Sequence, residues 1–348
     1  MTKYDSNPLV SIIVTVYNKG NHIEDTLLSA INQKYKELEI IVVNDGSNDN
    51  SLDIIKKVTS IDTRVKFIDQ NNMGPSLARN NGFKIAKGKY INFLDGDDLL
   101  LEDFLLECVS ILESNTKIDI VHTSWIKVDQ FGKLISSHTA PKPEDYLKEL
   151  LLGNLFATHA VLAREEILRE VGEMLAIKTE DWEYWARCAQ KGAQFLDVNK
   201  VLAITKDVPN SDQKQLRDLE RIGSEAIEIL FNREMQPKYK RLQQLSIIRN
   251  KLFILEYLKS KISEEDRCTF VLKLVEIIKN TRFCREDSKY LLPMTNILTS
   301  KQCMVCFLPI IRNMDVNKRE KYFIFYYLLK NLFRTKLSLY LKKMKLKK

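Results

Sequence analysis

The sequence predicts an α/β domain with a mostly parallel sheet covered by helices on both faces, followed by an α-helical C-terminal region. Three observations carry this expectation. Apolar runs rich in β-branched residues alternate with segments of helical spacing through residues 9–122. Ten of the 11 glycines lie at or before Gly192 and none follows Gly223, so turns and close backbone approaches belong to the first part. From Leu216 onward apolar residues recur at three- and four-residue steps.

The elements follow in order. Leu9–Val16 (LVSIIVTV) is a buried strand that ends at Tyr17-Asn18-Lys19-Gly20. His22–Gln33 is helical, with Ile23, Leu27, Ala30 and Ile31 on one face. Leu38–Val43 is a second strand, closed by Asn44-Asp45-Gly46-Ser47. Ser51–Val58 is a helix, Val65–Ile68 a short strand, and Pro75–Ala86 a helix entered through Gly74-Pro75. Tyr90–Leu94 is a strand that runs into Asp95-Gly96-Asp97-Asp98. Glu102–Leu112 is a helix and Ile118–His122 another strand. Ligands of such sheets sit beyond the carboxyl ends of the strands, where Asn44-Asp45 and Asp95–Asp98 both fall. Helical spacing then marks 216–231, 239–260, 264–280 and 318–348, punctuated by Pro237, Pro293 and Pro309. The expected division is 1–215 for the α/β domain and 216–348 for the helical region.

Composition excludes several classes. Of 348 residues 45% are hydrophobic and 29% charged, which rules out a disordered, collagenous or disulfide-stapled chain. The net charge is +8, but residues 318–348 hold 11 Lys/Arg against Glu320 alone, so the body is near neutral and the tail basic. Six scattered cysteines suit a reducing compartment. Cys303 and Cys306 have C-x-x-C spacing without a second pair or a later histidine, and read as small apolar residues of a helix rather than a zinc site. No small-residue cleavage site follows Leu9–Val16, and no apolar run approaches the ~20 residues of a spanning helix. A cytoplasmic protein is expected. No G-x-G-x-x-G, P-loop, G-x-S-x-G or H-E-x-x-H pattern occurs.

Three clusters carry chemistry. Asp95, Asp97 and Asp98 repel one another after a buried strand. A cation relieves that repulsion, and hard carboxylate oxygens suit Mg²⁺ or Mn²⁺. A solvated turn or a helix N-terminus is the alternative. Thr15 and Tyr17 at one strand end, with Asp45 at the next, offer a stacking face and an N–H acceptor for a nucleobase; ordinary strand-to-helix turns use the same residues. Glu180 and Asp181 open a helix that carries Trp182 and Trp185. Either acid caps that helix, or one serves as general base for a sugar hydroxyl.

Together, Val10–Asn18 (VSIIVTVYN), Val42–Asp49 (VVNDGSND), Gly74–Gly82 (GPSLARNNG), Tyr90–Asp98 (YINFLDGDD) and Glu180–Arg187 (EDWEYWAR) resemble the ordered blocks of family 2 inverting glycosyltransferases with the GT-A fold. The resemblance covers residues 8–205. It implies that Thr15, Tyr17 and Asp45 hold the nucleoside of a nucleotide-sugar, with a UDP-sugar the expected donor. It implies that Asp95 and Asp97 form the D-x-D element. Asp97 would ligate Mn²⁺ or Mg²⁺ on the diphosphate, and Asp95 would face the ribose or the metal. Asp98 would support them, Arg79 would lie near the nucleotide or brace the acids, and Asp181 would be the general base. The acceptor implied is a glycan or lipid-linked hydroxyl, as in polysaccharide biosynthesis.

The chain departs from the pattern in places. Asn44 stands where many relatives have an acid. Gly172–Leu175 (GEML) replaces the usual Gly-Gly-Phe-Asp. Relatives often place an Arg or His after the last strand, whereas Thr205–Lys214 (TKDVPNSDQK) offers Lys206 or Lys214 to close over the diphosphate. The Q-x-x-R-W element of processive synthases is absent, so transfer of a single sugar is expected. His159 reads as a satisfied core or surface residue and is not counted with the site.

In the tail, Tyr322, Tyr326, Leu329, Phe333, Leu337, Tyr340 and Met344 form an apolar stripe amid the basic residues. Such a helix suits the anionic inner face of a membrane, giving peripheral attachment; packing on the domain's own helices is the alternative. Nucleic acid is not expected as a partner, since the charge lies on an apolar stripe. A nucleotide-sugar-binding scaffold without turnover is the competing function, disfavoured because binding alone needs no base.

Overall fold

The structure, a computed structural model, describes residues 7–207, 223–233, 236–240 and 242–258. The chain divides into two compact units, Met1–Leu150 with Asn154–Lys214, and Leu151–Gly153 with Gln215–Lys348.

The first unit is built on one sheet. Strand β1 (Val10–Val16) lies between β2 (Leu38–Asp45) and β4 (Tyr90–Asp95), and β3 (Val65–Gln70) flanks β2, all parallel. β1 and β2 are buried from end to end, which explains their mostly apolar runs. Helices α1 (Ile23–Ile31), α2 (Ser51–Ile61), α3 (Pro75–Ile85) and α4 (Phe104–Ser114) alternate with these strands, around a two-residue strand β5 (Leu99–Leu100). Val10, Ile12, Val14 and Val16 share a core with Ile23 and Leu27 of α1, Ile55 of α2 and Phe104 of α4. Ile13 faces the other way, onto α3. A Cβ added to Gly82 of α3 would come within 2.4 Å of the Ile13 side chain, so this close helix-to-strand approach requires glycine. Helices therefore cover both faces, as expected.

Beyond β4 the sheet becomes mixed. β6 (Ile120–Asp129) pairs with a hairpin partner β7 (Leu134–His138), and β8 (Val161–Arg164) enters antiparallel between β4 and β6. β9 (Phe195–Asp207) runs parallel to β6 and antiparallel to β5. The order is β3-β2-β1-β4-β8-β6-β9-β5, with β7 alongside β6. Two antiparallel steps through β8 leave β6 parallel to β4. The carboxyl ends of β1, β2, β4, β6 and β9 thus share one edge. Between these strands lie α5 (Tyr146–Leu152), a 3₁₀ turn at Thr158–Ala160, α6 (Glu165–Val171) and α7 (Glu180–Gln190). Phe93 of β4 meets Phe83 of α3 and Tyr184 of α7 edge-on, at 6.3 and 6.4 Å between centroids, so α3 and α7 pack on the same side of β4.

In the second unit, helices Ser224–Asn232 and Leu242–Leu258 are described, joined through a short turn of helix at Pro237–Lys240. Among the described residues no helix is long and apolar enough to cross a membrane. The expected helices at 264–280 and 318–348, the Cys303/Cys306 pair and Lys214 lie outside the described residues.

Candidate active site

The carboxyl edge of the sheet gathers Thr15, Tyr17, Asp45, Asp95 and Asp97, drawn from three strand ends. The β1 and β2 loops are tied to each other. Asn18 stands in the left-handed region at φ 52°, a conformation Asn tolerates. Its backbone N–H donates to Ser47 Oγ, and its side-chain oxygen accepts from the Asn48 N–H. Lys19 N–H donates to Ser51 Oγ and Gly20 N–H to Asp49. Tyr17 is left 46% exposed, a ring face open to solvent.

Asp45 is buried, and its carboxylate accepts three hydrogen bonds at 2.8 Å. Gln70 Nε2 and Met73 N–H reach Oδ1, and Gly74 N–H reaches Oδ2. It pins the loop that leads into α3, and one acceptor direction remains on Oδ2. Asn44 points elsewhere, donating to Asp69 from a buried position.

Each acid after β4 has its own cation. Arg79, carried by α3 and only 5% exposed, bridges Asp95 and Glu180 with 2.6 Å contacts to each. Thr15 Oγ1 adds a 3.3 Å hydrogen bond to Asp95. Lys19 Nζ lies 2.5 Å from Asp97 Oδ2. His159 Nδ1 lies 2.9 Å from Asp98 Oδ2, while Asp98 Oδ1 accepts from Lys206 N–H. Burial pushes the Asp95 carboxyl up, but Arg79 outweighs it and holds the group below the usual carboxylate value. Burial, and then Asp98, push Asp97 up, with Lys19 only partly opposing. Glu180 also sits above its usual value. Burial raises it, Arg79 opposes, and Asp181 adds to the rise. Burial pulls His159 down, yet Asp98, Asp95 and Asp97 together keep it above the ordinary imidazole value.

At the start of α7, Asp181 Oδ2 accepts from Asn154 Nδ2 at 2.7 Å and Thr158 Oγ1 at 3.1 Å, and Oδ1 accepts from Trp182 N–H. Two side chains from outside α7 therefore aim this carboxylate, which a simple helix cap does not need. Asn80 of α3 holds Met174 through a reciprocal pair of 2.9 Å hydrogen bonds and so fixes the departing Gly172–Leu175 segment.

The donor set at Asp97 fits a divalent cation. A lysine ammonium already stands on the carboxylate, so the position attracts a cation. Among the described residues no cluster of three or more metal-type ligands occurs. Mg²⁺-type sites take one or two carboxylates and complete the shell with phosphates.

The sequence profile of the family described as "Glycosyl transferase family 2" matches residues 11–172. An uncharacterized glycosyltransferase of Haemophilus influenzae is 37% identical over 190 residues, spanning 54% of this chain and 75% of that protein. The chain belongs to glycosyl transferase family 2. It is a glycosyltransferase. A second relative, the uncharacterized glycosyltransferase MJ1057 of Methanocaldococcus jannaschii, is 29% identical over 215 residues, or 59% of this chain and 72% of that one. Among solved structures, Staphylococcus aureus TarS 1–349 aligns with a TM-score of 0.57 at 16% identity, covering 93% of this chain and 88% of that 1–349 chain. The mannosyltransferase PcManGT of Pyrobaculum calidifontis aligns with a TM-score of 0.55 at 15% identity, covering 94% and 88%. These likenesses establish the GT-A fold. The family profile spans Thr15 to Asp98 and also His159, and ends before Asp181.

Within this glycosyltransferase fold the candidate residues fall into two groups. Thr15, Arg79, Asp95 and Asp97 converge on the acidic turn, whereas Asp45 anchors the 70–74 loop. Lys206, considered for the diphosphate, pairs instead with Asp25 of α1. His159, set aside from the sequence, is a member of the acidic cluster. Lys19, Asn154 and Thr158 were not singled out at all. Lys19 directly follows the first motif, Val10–Asn18, so its position at a strand end was a usable signal. Nothing local marks Asn154 or Thr158, which meet Asp181 only through the fold.

Proposed function

We propose that this enzyme moves one sugar from a nucleotide-sugar donor to a hydroxyl of a glycan or lipid-linked acceptor by a single inverting displacement. The observation that carries the reading is the chain Asp95–Arg79–Glu180, which ties the D-x-D turn to the residue beside Asp181. Donor side and acceptor side are thereby held by one buried guanidinium.

In this reading Tyr17 stacks on the nucleobase, and the remaining lone pair of Asp45 accepts a base N–H. Thr15 and Asp95 lie toward the ribose. Asp97, with Asp95, would hold Mn²⁺ or Mg²⁺ on the diphosphate. A divalent ion there supplies positive charge to the leaving nucleoside diphosphate. Asn154 and Thr158 orient Asp181, which takes the proton of the acceptor hydroxyl as its oxygen attacks the anomeric carbon. The bond to the diphosphate oxygen breaks on the opposite face, and the anomeric centre inverts. TarS has been solved with UDP and with UDP-GlcNAc, and PcManGT with GDP-Man and Mn²⁺, which supports a nucleotide-sugar donor and a divalent ion. The basic, apolar-striped segment 318–348 supports peripheral contact with an anionic inner membrane face, suited to a lipid-linked acceptor in polysaccharide assembly.

Asp181→Asn tests the reading. Nucleoside diphosphate release across a panel of sugar nucleotides with acceptor should fall ~10²–10⁴-fold, while UDP binding with Mn²⁺ stays at the parent value. Parental turnover at saturating donor and acceptor would place the base elsewhere.

A further inference from the structure

The three acids of the β4 turn are neutralised by three cations of unlike mobility. Arg79 is buried and fixed at both ends, by Asp95 and Glu180. His159 is 1% exposed, held by Asp98 through Nδ1 and placed 3.5 Å from Thr205 Oγ1 through Nε2. Lys19 differs. Its side chain is 21% exposed, and Asp97 is the partner of its ammonium.

The Lys19 backbone is nonetheless fixed. Its N–H donates to Ser51 Oγ, and its carbonyl accepts the N–H groups of His22 and Ile23 at the start of α1. A Cβ added to Gly96 would lie 3.5 Å from Lys19 Cγ, so the stem runs across the Asp95-Gly96-Asp97 turn. A rooted lysine with four rotatable carbons is suited to moving its charge a few ångströms, which a bridged guanidinium or a buried imidazole is not.

Resting on the assignment of Asp97 to the metal, we propose that Lys19 is an exchangeable counter-cation of Asp97, which a divalent ion displaces and which then passes to the donor's diphosphate. A divalent ion arriving alone must break the Lys19–Asp97 pair and leave the ammonium unpartnered. A diphosphate arriving with it gives the ammonium new oxygen acceptors. Metal and nucleotide therefore bind cooperatively, and linkage requires each to strengthen the other by the same factor.

The experiment titrates Mn²⁺ into the full chain and follows free Mn²⁺ by electron paramagnetic resonance. It is run first without nucleotide and then with UDP and, separately, with GDP. Parent, Lys19→Met, Lys19→Arg and Asp97→Asn are compared, with thermal melts to establish folding. Without nucleotide, Lys19→Met should bind Mn²⁺ about tenfold tighter than the parent, inside the ~5–150-fold span usual for linked sites. The enhancement of Mn²⁺ binding by nucleotide should shrink by a similar factor. Lys19→Arg keeps the charge and should stay near the parent, and Asp97→Asn should lose the site. If Asp97→Asn loses Mn²⁺ but Lys19→Met binds no tighter than the parent, the exchange is overturned while the metal assignment stands. If Lys19→Arg gains as much as Lys19→Met, the effect is one of shape and the exchange is again overturned. Equal Mn²⁺ binding by parent and Asp97→Asn would remove the metal assignment itself.

Discussion

Two carboxylates at the strand ends on either side of β1 are neutralised in opposite ways. Asp45, after β2, is held by the amide of Gln70 and two backbone N–H groups. Asp97, after β4, is held by a lysine ammonium, and its neighbours Asp95 and Asp98 by Arg79 and His159. Backbone dipoles are fixed by the fold and cannot leave. Side-chain cations carry whole charges, and some can be exchanged for another cation. The β2 end is thus held by groups the fold fixes, and the β4 end by side-chain cations.

That contrast predicts how each end breaks. The largest effect should come from Arg79→Met, which leaves Asp95 and Glu180 facing one another. Unpairing a buried ion pair costs ~3–5 kcal/mol, and the partial exposure of Asp95 brings the expectation to the lower end. Urea denaturation checks it. A loss below ~1 kcal/mol would mean that the bridge braces nothing.

Asp45→Ala should follow, at ~1–3 kcal/mol, because it orphans the Met73 and Gly74 amides. Calorimetry with UDP should show weakened binding in the same variant. Full stability with normal UDP binding would dissolve the contrast, since the β2 end would then not depend on its anchor.

His159→Gln should also cost ~1–3 kcal/mol, with a pH signature of its own. The folded imidazole titrates above the unfolded value of ~6.5, so its stabilisation is complete below that value and is lost as pH rises through the folded one. The parent's unfolding free energy should therefore decline across that window, and His159→Gln should flatten the decline. An unchanged slope would remove His159 from the charge balance.

Tyr17→Ala should have the smallest effect on stability, within ~0.5 kcal/mol, as befits an exposed side chain. Its UDP affinity should nonetheless drop by ~1–3 kcal/mol, the usual worth of a base–aromatic stack. Unchanged affinity by calorimetry would move the nucleobase off this face.

Much of the first unit was legible in the chain. β1, β2 and β4 announce themselves because strands buried on both faces are predominantly apolar, and the ends of β2 and β4 are marked by Asn-Asp-Gly and Asp-Gly-Asp-Asp. β8 and the long β9 were not legible. β8 has only four residues, and β9 mixes Asp197, Asn199 and Lys200 among its apolar positions, so neither shows a clean period. His159 is the satisfied core residue the sequence suggested, but a lone histidine carries no local signal of which acid it meets. Its partner Asp98 lies on a different strand end.

The sequence by itself determined the alternation of strand and helix, and the acids that stand at the strand ends, because both are local consequences of periodicity and turn chemistry. Only the tertiary structure decided which cation meets which acid. Arg79 and Glu180 are separated by 101 residues, and Lys19 and Asp97 by 78. They meet because β1 and β4 pair side by side, and because α3 and α7 pack against one face of β4. Charge balance is a sum over neighbours in space, and a one-dimensional pattern does not contain it.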